Sequence, residues 1–141
     1  MKGRSKKGHA VQTSNTAIVD AIHDFLEAFS ILDHAGMMAF FSQDATSFFP
    51  LEHSVRRMNN KKEISKGFSR VIEKIKEMGQ SRIHLEPEGL QIQELNDGAV
   101  VTFHLKNDVF CRRTLVLTKT EGKWMIAHLH ASNAPAKGAE P

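Results

Sequence analysis

This chain of 141 residues has one cysteine, no tyrosine, one tryptophan and four prolines. With Cys111 as its single thiol it can form no internal disulfide, and a reducing, cytoplasmic setting is the simplest expectation. Cys111 falls in a strand-like run without a fixed basic neighbour, so it reads as a small buried hydrophobe and not as a nucleophile. No stretch approaches the ~18 consecutive apolar residues that cross a bilayer. No apolar segment follows the basic N-terminus, so neither a secretory signal nor a membrane partner is expected.

Clustered charge is also missing from the part expected to fold. Lys and Arg number 19 against 16 Asp and Glu, a formal net charge of +3. Lys2, Arg4, Lys6 and Lys7 lie in the first nine residues, which hold no acid, and without them 15 basic residues face 16 acidic ones, a net of −1. A nucleic-acid-binding domain carries its positive charge on the folded face, so no nucleic-acid partner is expected. Residues 1–13 read as a disordered basic tail. What is present is an apolar content of 40%, enough for one core in one domain.

Ser14, Asn15 and Thr16 offer helix caps. Ile18, Ile22, Phe25, Phe29 and Leu32 follow at steps of three and four and form one face of an amphipathic helix. Asp33 caps a short second helix holding Met37, Met38, Phe40 and Phe41. Ala45 to Phe49 reads as a strand that Pro50 interrupts, and 51–59 as irregular. Asn60 and Glu63 make a capping box for a helix carrying Ile64, Phe68, Val71, Ile72 and Ile75, which Gly79 stops. The period then changes to two. Strands are expected over 81–95, 99–106, 109–118 and 123–132, with Pro87 and Gly89 breaking or bulging the first. Asn96-Asp97-Gly98, Asn107-Asp108 and Glu121-Gly122 mark the turns of a four-stranded antiparallel meander. Residues 134–141 read as a flexible tail. Helices before a long antiparallel sheet give an α+β domain, with a pocket between the helices and the curled sheet.

Asp44-Ala45-Thr46 followed by Phe48-Phe49-Pro50 resembles the first strand of ketosteroid isomerases and SnoaL-type polyketide cyclases. The closing run from Gly122 to Ser132, with Trp124 and His128-Leu129-His130, resembles the last strand of SnoaL-like domains. It is also similar to the association domain of calcium/calmodulin-dependent protein kinases, through Ala134-Pro135. These families belong to the nuclear transport factor two-like superfamily. The resemblance covers about residues 14–135, with a SnoaL-like domain over 14–133. It implies a cone-shaped, cystatin-like α+β fold, with N-terminal helices packed on a curved, mostly antiparallel sheet. Fold alone does not choose a function, because the superfamily holds isomerases, cyclases, dehydratases and scaffolds.

Ketosteroid isomerases carry an acidic base just before the proline of the first strand, where this chain has Phe49, and a tyrosine that this chain lacks. Phenylalanine abstracts no proton, so steroid isomerisation of that kind is not expected. A cyclase-like His/Asp pair would be drawn from Asp33, Asp44, His104, His128 and His130. The kinase association domain lines its cavity with arginines. One of those positions is Ala131 here and another aligns with His104, while Arg112 and Arg113 lie close to a third. His128 and His130 share a strand face and could hold a metal if His104 or Glu94 completed the set. Strand parity pulls against the alignment, because Ala99, Val101, Phe103 and Leu105 form the better core face and send His104 outward.

The expectation is a small-molecule-binding domain with an apolar cavity, whose ligand contacts are His104, His128, His130, Arg112, Phe41 and Phe49. Isomerisation, cyclisation or dehydration of an apolar substrate is the reaction class if it catalyses, with no metal and no organic cofactor. A homodimer is expected through the second sheet face, which carries enough apolar residues (Leu115, Leu117, Ile126) to require cover. The alternatives are an oligomerisation or scaffold module like the kinase association domain, and a metal enzyme built on His128 and His130.

Overall fold

A computed structural model describes residues 10–51, 53–106 and 109–135. Helix α1 spans Ala10–Ser30 and buries Ile18, Ile22, Phe25 and Leu26, the face that the three-and-four spacing marks out. It begins inside the segment expected to be a disordered tail. Ala10-Val11-Gln12 holds no helix breaker, so the helix runs on past its candidate caps. Residues 1–9 of that tail lie outside the described residues. Leu32 ends the helix in a left-handed conformation (φ 59°), while its side chain is buried.

The Asp33 carboxylate accepts from the Gly36 N–H at 3.0 Å and caps α2, His34–Met38. Phe41 does not continue that helix. It opens strand β1, Phe41–Phe48, because Ile126 N–H donates to the Phe40 carbonyl and draws the chain onto the sheet. Asn60 caps α3, Lys61–Glu77, by accepting from the Glu63 N–H, and the Glu63 carboxylate reaches back to the Asn59 N–H. Gly79 (φ 84°) terminates it as its sequence position demands.

The expected strand over 81–95 is shorter. Its first residues cross the end of α1, where the Ile83 N–H donates to the Ser30 carbonyl, and strand β2 is Pro87–Glu94. The register of β2 slips between Glu88 and Gln91, around Gly89 (φ 64°), as a bulge there requires. Strands β3 (Gly98–Leu105), β4 (Val109–Thr120) and β5 (Lys123–Pro135) complete the meander. Glu121 (φ 51°) and Gly122 (φ 80°) both adopt the left-handed region that a two-residue hairpin loop needs. Strand β5 takes in Ala134 and Pro135, which were expected in the tail, because they pair with Phe110 and Val109; residues 136–141 lie outside the described residues.

The sheet order is β1-β5-β4-β3-β2, antiparallel except for the parallel pair of β1 and β5. The helices pack on its concave face, giving the cone-shaped α+β fold. Among the described residues no helix is long and apolar enough to cross a membrane.

One irregularity decides which side chains face the helices. Val116 pairs with His128 and Leu117 with Ile126, so Ala127 is an extra residue in β5. Before the bulge, Trp124 and Ile126 point into the core; after it, Leu129 and Ala131 do. The bulge therefore turns His128 and His130 to the convex face.

Candidate functional site

Between the helices and the concave face lies a cavity of about 130 Å³. Helix α1 contributes Phe25, Leu26 and Phe29, and α3 contributes Phe68 and Val71. The chain leaving β1 supplies Phe49, Pro50 and Leu51. The sheet supplies Phe103, Leu105, Arg113, Leu115, Leu129 and Ala131. An engineered cavity of about 150 Å³ accepts benzene, so this one fits a single ring or a short branched chain.

Every lining residue except Arg113 is apolar. Arg113 sits on the inner face of β4, in line with Cys111, Leu115 and Leu117, all of which are buried. Its Nη1 donates to the Arg112 carbonyl at 3.0 Å, the Asn133 Oδ1 at 3.2 Å and the Ser132 carbonyl at 3.4 Å. Among the described residues no carboxylate forms an ion pair with it. Burial pulls the guanidinium below arginine's usual pKa, with the nearby Cys111 acting in the opposite sense. It is still charged, because arginine does not lose its proton in proteins.

The sequence expectations divide here. Phe49 lines the cavity, as expected, with its ring 4.6 Å from that of Phe68. Phe41 does not. Its ring packs in the core against Phe25 and Phe68, and it is 1% exposed. Arg112 points outward, where its Nε donates to the Ser132 hydroxyl at 3.1 Å, and its neighbour Arg113 takes the inward position. His104 is exposed on the convex face, as strand parity predicts and against the alignment. Leu115, Leu117 and Ile126, expected on the second sheet face, are buried on the first. The convex face instead presents half-buried Phe48, Val100, Val116 and Met125.

His128 and His130 also leave the cavity for the convex face, where they flank Phe48 with ring centroids 6.0 and 5.3 Å from it. The His128 Nδ1 lies 2.7 Å from the Thr46 Oγ1. Burial lowers the pKa of His128, the charges of His130 and Arg57 add to the lowering, and a backbone hydrogen bond with Thr46 opposes it. Among the described residues no three metal-ligating side chains come together. His104 cannot complete a set with the histidine pair, because it pairs with Arg112 and thence with Ser132, further along β5. Glu94 pairs with Ala99, at the opposite end of the meander.

His130 does border a second recess. A shallower groove of about 370 Å³ adjoins the cavity and shares Phe49, Pro50, Leu51 and Ala131 with it. Phe48, Ser54, Val55, His130, Ser132 and Asn133 form the rest of its rim. Arg113 is named in the sequence only as the neighbour of the expected ligand contact Arg112, and Asn133 carries no signal there. The signal for Arg113 was present, since it shares parity with Leu115 and Leu117.

A profile of the SnoaL-like domain family matches residues 18–137. No curated protein matches the chain in sequence. Among solved structures, the chain is similar to an NTF2-like (nuclear transport factor two-like) protein of unknown function from Pseudomonas putida. The TM-score is 0.74 at 17% identity, over 86% of this chain and 87% of that one. A proposed dehydratase of the NTF2-like family from Streptomyces avermitilis also gives 0.74, at 15% identity, over 90% of this chain and 100% of that one. A proposed calcium/calmodulin-dependent protein kinase type II association domain from Thiobacillus denitrificans gives 0.64 at 20% identity, over 80% of this chain and 91% of that one. At these identities the likeness is one of fold.

Proposed function

Because this chain belongs to the SnoaL-like domain family, we propose that its cavity binds one small apolar molecule bearing a single anionic group, with Arg113 as the partner of that charge. The observation that carries this reading is the cavity itself, apolar on all sides but for a cation that no described carboxylate neutralises. A half-buried charge without a described carboxylate partner carries part of the cost of desolvation, and an anionic ligand would offset it. The volume restricts the buried part of the ligand to one ring or its equivalent.

Binding is favoured over turnover because no described lining residue can act as a general base. The finer activity, acid/base isomerisation, cyclisation or dehydration, would have to recruit His130 from the adjoining groove. The proposed dehydratase of similar fold keeps that reading in play. The half-buried apolar side chains of the convex face support a homodimer through the sheet, and the buried Cys111 supports a cytoplasmic setting. A scaffold role like that of the kinase association domain predicts a ring of many copies, which native mass spectrometry separates from a dimer.

The test is a thermal-shift screen of aromatic and short branched carboxylates, their neutral amides, steroids and polyketide-like aromatics. A ligand at ~100 times its dissociation constant adds about 2.7 kcal/mol of stability. Carboxylates are expected to raise the melting temperature, and Arg113→Met is expected to abolish the rise. A flat screen overturns the reading.

A further inference from the structure

The Nη1 nitrogen of Arg113 carries two hydrogens, and three acceptors surround it: two main-chain carbonyls and the Asn133 side chain. Nη1 is therefore committed to the protein. Each acceptor is neutral. Asn133 follows Ala131 on the same face of β5, and Cys111 is its partner across the strands. An aspartate is almost the same shape, would accept the same hydrogen bond, and would cancel the charge of Arg113 by a charge-assisted pair.

We propose that Asn133 is a specificity-determining residue: its neutral carbonyl anchors Arg113 without neutralising it, so the guanidinium's charge and its Nε–Nη2 edge serve a planar carboxylate ligand. This rests on the reading of the cavity as an anion-binding site, and it names the group that keeps that site selective. The guanidinium is a flat fork. With Nη1 held, the other edge presents parallel N–H donors that match the two oxygens of a carboxylate. The neutral amide of the same acid offers one oxygen and no charge to that edge. Asn133 also borders the groove beside the cavity, so the anchor stands where the two recesses meet.

Two probes separate the alternatives, benzoate and benzamide, each titrated calorimetrically into the full chain and into Asn133→Asp and Asn133→Ala. Asn133 is exposed, so neither substitution disturbs the core. The wild type is expected to bind benzoate at least tenfold more tightly than benzamide. Asn133→Asp is expected to lose that preference while keeping its benzamide affinity. Asn133→Ala keeps the charge and removes the one side-chain acceptor of the three, so it should weaken benzoate severalfold and retain the order of preference. Benzoate bound as tightly by Asn133→Asp as by the wild type overturns the proposal and leaves the cavity reading standing. Benzoate and benzamide bound equally by the wild type overturn it too. Binding of neither probe, together with a flat screen, overturns the cavity reading and this proposal with it. Nitrogen-detected NMR of the Arg113 side chain gives a ligand-free check. Rotation about its Nε–Cζ bond should be slow in the wild type and faster in Asn133→Ala, where two main-chain carbonyls remain, and fast rotation in both removes the anchor.

Discussion

Thr46 and His128 stand opposite each other in the parallel pair of β1 and β5, with the threonine hydroxyl 2.7 Å from the imidazole Nδ1. Burial holds the His128 pKa below its unfolded value, with His130 and Arg57 adding to the effect. The unfolded chain therefore binds a proton more readily than the folded one, and stability rises with pH wherever that is so. The contribution is present above an unfolded pKa near 6.5 and is lost as pH falls from there through the lower folded value. Urea midpoints measured from pH 7.5 down to pH 5 should fall, and His128→Gln should flatten the fall. An unchanged slope in His128→Gln would assign the acid sensitivity to other groups.

Arg113→Met replaces the cavity's cation with a flexible apolar chain that spans the arginine's aliphatic stem. The guanidinium loses its hydrogen bonds, but it also ceases to be a half-buried charge without a described carboxylate partner. Replacing buried ionic groups by well-packed apolar ones is often neutral or stabilising. We expect Arg113→Met to stabilise the ligand-free protein by about 1 kcal/mol, a rise of roughly 4 °C in Tm. Calorimetry checks this. Arg112→Met is the control, because Arg112 points outward and should move Tm little. A Tm lowered by several degrees in Arg113→Met would make Arg113 a structural strut.

The contrast between those two arginines shows how far the sequence could be read. Helices, caps, turns and the core face of β3 follow from periodicity and local chemistry. Asp33, Asn60, Gly79 and the Glu121-Gly122 turn act as their residue types predict. The inner face of β4 was also open to parity, since Leu115 and Leu117 point inward and carry Arg113 with them. The histidines were a different case. His128-Leu129-His130 alternates as any strand does, and whether it faces in or out depends on Ala127. A bulge is a pairing mismatch between two strands, and alanine carries no local signal for one. The N-terminal half of β1 was hidden for a related reason, because Phe41 enters the sheet through the neighbouring contact of Ile126 with Phe40.

Leu32 tests two opposing effects at one position. Its backbone lies in the left-handed region, where glycine is free of the cost that a Cβ meets. Relief of that cost is worth about 1–2 kcal/mol. Yet its side chain is 7% exposed and belongs to the core, and full burial of a leucine is worth about 1.5–3 kcal/mol before any cavity penalty. The side chain should win, so Leu32→Gly is expected to destabilise the fold by about 1 kcal/mol in urea unfolding. Leu32→Asn tolerates the same backbone but adds a polar group to the core, and it should destabilise more. A stabilised glycine variant would mean that backbone strain dominates this helix end.

Gly67 couples helix α3 to the cavity wall. A Cβ there would stand 2.8 Å from the Phe49 ring and 2.9 Å from the Met58 methyl. Alanine improves helix propensity by about 1 kcal/mol. The contacts act against that gain. The Met58 methyl ends a flexible chain and can swing aside. The Phe49 ring packs at a tilt against Phe68 and has less room to move. Overpacking of this kind costs about 1–3 kcal/mol. The Gly67→Ala protein should therefore be less stable by roughly 1 kcal/mol, and displacement of Phe49 should weaken benzoate binding. Urea unfolding and calorimetric titration measure the two separately. Lost stability with unchanged affinity would mean that Met58 and the backbone absorb the clash. Lost affinity with unchanged stability would mean that Phe49 yields at little cost, and that its position sets the cavity's shape.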